Sequence, residues 1–132
     1  MYEGGVQPFS LLFALEASLD LILECGPDLI ERRSLGLARE CREVLLRLGG
    51  VGNLDSDLPC DSPIVTAFFP GQDAAVLRQQ LQRRRVAVAA RQGNLRVSLH
   101  FFNNRDDLQR LAGALAAWPV ALSPGRPDRS DD

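Results

Sequence analysis

Residues 86–104 read VAVAARQGNLRVSLHFFNN, and the alternation in this stretch decides the fold. Val86 to Ala90 and Leu95 to Leu99 are short runs rich in β-branched and apolar residues, separated by Gln92-Gly93-Asn94. Two such runs around a Gly-containing turn predict an antiparallel hairpin. Asn103 or Asn104 then starts a helix that uses Leu108, Leu111, Ala112 and Leu115 as its apolar stripe and stops at Pro119. Upstream of the hairpin, Ile64 to Phe69 (IVTAFF) predicts another strand, closed by Pro70-Gly71. Asp73 caps a short helix through about Arg84, with Leu77 and Leu81 facing inward.

The first third of the chain has the period of helices. Residues 9–25 form an apolar cylinder marked by one polar stripe, Glu16, Asp20 and Glu24, at i, i+4 and i+8. Such a helix wants cover on most sides, and burial is expected. Gly26-Pro27 stops it and starts a second, amphipathic helix whose apolar stripe is Ile30, Leu37, Cys41, Val44 and Leu48, closed by Gly49-Gly50. Residues 50–62 hold the Gly, Asn, Asp, Ser and Pro of a connection.

The order helix, helix, strand, helix, strand, strand, helix predicts an α+β domain: a small sheet of about three strands with helices packed on it. The unit 64–90 becomes a right-handed parallel crossover if its two strands are neighbours, and periodicity leaves their order open. One domain is expected over residues 1–122, followed by a disordered polar tail at 123–132 (SPGRPDRSDD).

Composition removes several classes of function. The 132 residues carry a formal charge of −2, without the basic excess of a dedicated nucleic-acid binder, so no nucleic-acid partner is expected. All 15 basic residues are Arg, so chemistry on a lysine amine is closed to these residues. Cys25, Cys41 and Cys60 form no C-x-x-C pair, and with one His no metal site is expected. There is no basic stretch before the apolar run of a secretory signal, and Glu16 and Asp20 interrupt the longest apolar segment. Reduced thiols, no membrane partner and a cytoplasmic location are the expectations.

Candidate sites follow from the strand LRVSLHF. Alternation sends Arg96, Ser98 and His100 to one face and Leu95, Val97 and Leu99 to the other. A guanidinium beside two hydrogen-bonding groups suits a carboxylate, which it meets in bidentate geometry. The plain alternative is the solvated face of an edge strand. Arg91, beside the turn, either joins this group or is a surface charge. The run Arg83-Arg84-Arg85 reads as a solvated helix end, favoured by the macrodipole, and Cys41 as a small core residue. His100 has no acid paired with it in sequence, and beside Phe101-Phe102 a structural role is the simpler reading. Glu3-Gly4-Gly5 before a helix offers backbone N–H groups to an anion, but with no following hydroxyl or Lys it is not a phosphate loop.

Taken in order, Tyr2-Glu3-Gly4-Gly5-Val6-Gln7, Gly26-Pro27, Ser62-Pro63-Ile64-Val65 and Leu95 to Asn103 resemble the C-terminal part of class V aminotransferase-like proteins. These are pyridoxal-phosphate enzymes that include cysteine desulfurases and epimerase-like members. The resemblance runs from Tyr2 to about Trp118, and its most specific piece is R-x-S-x-H-F-x-N. It implies the small domain of fold type I, with Arg96 binding the substrate α-carboxylate, His100 beside it on the substrate side and Asn103 structural. The family's Y/F-E-G/A-G-T segment places a Thr on the cofactor phosphate, typically across a dimer interface; Gly5 and Val6 occupy that cofactor-binding segment here, and Val6 has no hydroxyl to donate. The family's cofactor lysine lies upstream in a large domain. Between Arg78 and Arg96 there is no Cys where desulfurases of the related branch carry their nucleophile, and His100 favours the aminotransferase or epimerase branch.

The resemblance therefore implies the substrate-carboxylate side of an amino-acid site, without the Schiff-base lysine. No catalytic residue, no bound pyridoxal phosphate and no activity are expected of these residues alone. Expected partners are the missing large domain or further copies of the chain in a dimer or other homo-oligomer. Two other classes stand beside this reading: a non-catalytic interaction or oligomerisation domain that kept the fold, and a carboxylate sensor using the Arg96 face.

Overall fold

The computed structural model describes residues 8–52, 54 and 59–117. Among them the elements are α1 (Phe9–Cys25), α2 (Pro27–Arg47), β1 (Ile64–Ala67), α3 (Ala74–Arg83), β2 (Ala89–Arg91), β3 (Asn94–Ser98) and α4 (Arg105–Ala116). This is the expected α+β arrangement of four helices and a three-stranded sheet. The sheet order is β1-β3-β2, and β3 runs antiparallel to both neighbours. The parallel alternative is thereby settled: β1 and β2 are not adjacent, because β3 lies between them.

The hairpin is built by its turn. Gln92 and Gly93 have φ of 49° and 76°, two successive left-handed residues between the paired Arg91 and Asn94. That two-residue, type I′-like geometry matches the twist of the strands, and Asn94 Nδ2 donates to Gln92 O at 3.0 Å. β2 begins at Ala89 rather than at Val86 as the sequence predicts. Residues 84–86 are spent closing α3: Arg85 takes φ of 61° and Val86 N donates back to Leu81 O at 2.9 Å. β1 stops at Ala67, two residues short of expectation, and Phe68 continues it by a bridge to Val51 (Val51 N to Phe68 O 2.7 Å). Gly50 makes that bridge possible, since a Cβ there would stand 2.8 Å from Leu45 O.

One face of the sheet carries the core. Val65, Ala67 and Phe69 from β1 and its extension join Leu95, Val97 and Leu99 beneath Leu77 and Leu81 of α3, Leu108, Leu111 and Leu115 of α4, and α2. On α2 the buried stripe is Ser34, Leu37, Ala38, Cys41, Arg42 and Leu45, while Ile30, Val44 and Leu48 are only partly buried. The sequence stripe was thus rotated slightly, and Leu45, fully buried, is its main omission. Asp73 caps α3 as expected, its Oδ1 accepting from Ala75 N (2.6 Å) and Val76 N (3.3 Å).

The expectation of a buried first helix is not met within this chain. No residue of α1 is buried, and Phe9, Leu11, Phe13 and Leu23 are 61% to 68% exposed. The reason is geometric: among the described elements α1 touches only α2, which leaves most of its apolar surface exposed. Among the described residues no helix is long and apolar enough to cross a membrane. The tail at 123–132 and Pro119 lie outside the described residues, as do Gly5 and Val6.

Candidate functional site

Among the described residues the helices that meet the sheet, α2, α3 and α4, pack on its core face, and no helix is seen on the other. β3 is the central strand, and its register sets Thr66 of β1 and Ala89 of β2 on either side of Arg96. Both neighbours are small. The next pair along is Arg91 with Asn94. On the other side Ser98 pairs with Ile64. The parity predicted for Arg96 and Ser98 therefore holds: Leu95, Val97 and Leu99 are buried, Arg96 is half-buried and Ser98 exposed. Arg96 is not on an edge strand, as the plain alternative required, but at the middle of an uncovered face.

Arg96 Nε has no exposed surface and no hydrogen-bond partner. A guanidinium donor cut off from water without an acceptor costs on the order of 1–3 kcal/mol. An acceptor that meets it as the side chain turns outward recovers that cost, and a carboxylate fits the fork of Nε and Nη in a way a point charge does not. No Asp or Glu occupies a strand position on this face.

His100 lies beyond the end of β3, exposed, with its ring stacked on Phe102 (centroids 4.7 Å apart, planes 26° apart) and tilted against Phe101 (4.7 Å, 48°). Its backbone is pinned by Asn103: His100 N donates to Asn103 Oδ1 at 2.9 Å, and Asn103 N donates to His100 O at 3.0 Å. Asn103 Nδ2 also donates to Asp107 Oδ2 at 3.2 Å. Asp107 closes a capping box with Asn104, accepting from Asn104 N at 3.1 Å while Asn104 Oδ1 accepts from Asp107 N at 3.1 Å. These donors hold the Asp107 carboxyl below the usual carboxylate range, the Asn103 amide contributing most. The structural role read for Asn103 is thus visible as geometry: it ties the end of β3 to the start of α4.

Sequence reasoning missed Arg33. From α2 it donates Nε to Phe101 O at 2.6 Å and Nη2 to Asn103 O at 3.1 Å, clamping the turn that carries His100. Nothing local signals this, since the partners are 68 and 70 residues apart. Nearby, Arg105 makes a bidentate pair with Glu40 (2.9–3.2 Å), joining α4 to α2. That hydrogen-bonded pair lowers the Glu40 pKa, but it is solvent-exposed and contributes little stability.

The remaining candidates resolve plainly. Arg83, Arg84 and Arg85 are exposed at the end of α3, and Arg84 Nη1 donates to Ala114 O in the last turn of α4 at 2.6 Å, where the helix favours a cation. Cys41 is buried in the core and desolvation pushes its thiol up to about 12, so it is no nucleophile. Among the described residues no three His, Cys, Asp or Glu side chains group to hold a metal ion.

No protein-family model matches the chain. It is 35% identical over 120 residues to isopenicillin N epimerase of Streptomyces clavuligerus, in an alignment that takes in 86% of this chain and 30% of that protein. The chain thus spans less than a third of the length of the curated relative it matches, and it is to part of an epimerase that it is similar.

Proposed function

We propose that this chain is the small domain of a class V aminotransferase-like, pyridoxal-phosphate-dependent protein and forms the carboxylate-binding side of its amino-acid site. The observation that carries this is Arg96: a guanidinium at the centre of the uncovered sheet face, flanked by the small Thr66 and Ala89, with a buried Nε that has no partner. The similarity to an epimerase and the α+β fold support the same reading. Arg96 holds the α-carboxylate by two charge-assisted hydrogen bonds, and His100, kept in place by Asn103 and Arg33, lines the edge of the site.

The residues present do not fit the cofactor by themselves. The 132 residues contain no lysine to bond its aldehyde, and the strand positions of the sheet face offer guanidinium side chains rather than a phosphate cradle. The cofactor and its lysine belong to residues outside this sequence, and no chemical step is assigned to the chain.

The test is a titration of the chain with alanine, followed by NMR of the arginine Nε–Hε groups. The Arg96 signal shifts and saturates in the millimolar range, and Arg96→Met removes the response. An Arg96 signal that stays still through saturating amino acid refutes the proposal.

A second reading, an interaction domain derived from such an enzyme, is favoured by one observation: α1 is apolar nearly all round and, touching only α2 among the described elements, has no buried residue. In that reading copies of the chain associate through α1. Sedimentation that shows only monomer at high concentration counts against it.

A further inference from the structure

Resting on the Arg96 reading and going beyond it, we infer that Arg91 is a second anion-binding group on the same face, so that the ligand is an amino acid with two acidic groups. The α-carboxylate goes to Arg96 and the side-chain carboxylate to Arg91.

The register makes the case. Ala89 is the direct partner of Arg96, and Arg91 stands two residues further along β2. Side chains alternate along a strand, so Arg91 and Arg96 project from the same side of the sheet. Diagonal neighbours of this kind are roughly 7–8 Å apart at Cα, well within the reach of two long side chains converging on one small molecule. Their positions are fixed by backbone pairing rather than by a loose loop, because the turn that follows Arg91 is the tight Gln92-Gly93 pair with both φ positive.

Charge singles the pair out. The chain carries 17 acidic residues against 15 arginines, yet the strand positions of this face hold two cations and no acid. Some exposed arginines of the fold are engaged, Arg33 by main-chain carbonyls, Arg84 by the end of α4 and Arg105 by Glu40, while Arg32, Arg39, Arg47, Arg83 and Arg85 are exposed on helices or helix ends away from the strand positions of this face. Arg91 forms no ion pair with any described residue. Two like charges on one face repel unless an anion lies between them. A ligand with two carboxylates satisfies both guanidinia at once.

Glutamate and glutamine have the same length and differ in the second charge, so they form the test. The chain is titrated with each by NMR at low salt, as wild type, Arg91→Gln and Arg96→Met. Glutamate is expected to bind about fivefold more tightly than glutamine, the range of one extra exposed ion pair, with the gap narrowing as salt is added. Arg91→Gln closes the gap by weakening glutamate alone, and Arg96→Met removes binding of both. Equal affinities in the wild type, or a gap that survives Arg91→Gln, overturn the role of Arg91 and leave Arg96 standing. No binding of either amino acid overturns the Arg96 reading and this inference with it.

Discussion

Replacing Arg96 by methionine is expected to make the protein more stable while destroying its affinity for carboxylates. Methionine keeps an unbranched side chain that ends where Nε stands, and it removes every nitrogen of the guanidinium. In the wild type, Nε is shut off from water and has no acceptor, which costs about 1–3 kcal/mol. The side chain is only half-buried, so its outer nitrogens stay hydrated, and only the Nε share of the cost is recovered. That places the gain at the low end, about 1 kcal/mol. For a domain of this size it corresponds to a rise in Tm of about 4 °C. Urea unfolding followed by circular dichroism measures it, with the midpoint moving up and the slope unchanged. A site held for ligand at the expense of stability behaves this way. A loss of 1 kcal/mol or more in Arg96→Met would refute the reasoning, since it would mean that the guanidinium bonds within the fold and is structural.

Two other outcomes follow from the core and the caps. Burial raises the Cys41 thiol to about 12 from an ordinary value of 9.0. The unfolded chain therefore loses this proton first, and stability is full below pH 9.0 and falls as pH rises toward about 12. The loss reaches about 2 kcal/mol near pH 10.5. Urea midpoints at neutral and alkaline pH measure it, and Cys41→Ala flattens the slope; parallel pH profiles for the two proteins contradict the assignment. Asn104→Ala removes one half of the capping box on α4 and the acceptor for Asp106 N and Asp107 N. It is expected to cost about 1–2 kcal/mol in the same assay, with Asn104→Asp retaining most of the stability; an unchanged midpoint rules the cap out as a determinant of α4.

Much of this was legible in the chain itself, because the signals are local. Alternation in LRVSLHF put Leu95, Val97 and Leu99 inside and Arg96 and Ser98 on the other face, since side chains along a strand have a period of two. The Gln92-Gly93 turn, the Asp73 cap and the Gly26-Pro27 break depend on residues within a few positions of one another, and each stands where it was read; the start of α4, left between Asn103 and Asn104, is capped by Asn104. The start of β2 moved because the helix before it has to be closed first. Val86 to Val88 have strand composition, yet the closing turn of α3 takes their first residue.

What sequence could not determine was arrangement. That β3 sits between β1 and β2, making Arg96 central rather than marginal, depends on which strands find each other, and pairing energies between distant segments leave no periodic trace. The Arg33 clamp on Phe101 and Asn103 is of the same kind, formed across the fold by residues that no spacing rule connects. The exposure of α1 is the sharpest case. Its composition demands cover, but whether cover exists depends on what surrounds it, and among the described elements only α2 does. Residue types thus determined the chemistry available to this protein. The tertiary structure decided which groups share a face and which face stands open, because those depend on contacts between segments far apart in the chain.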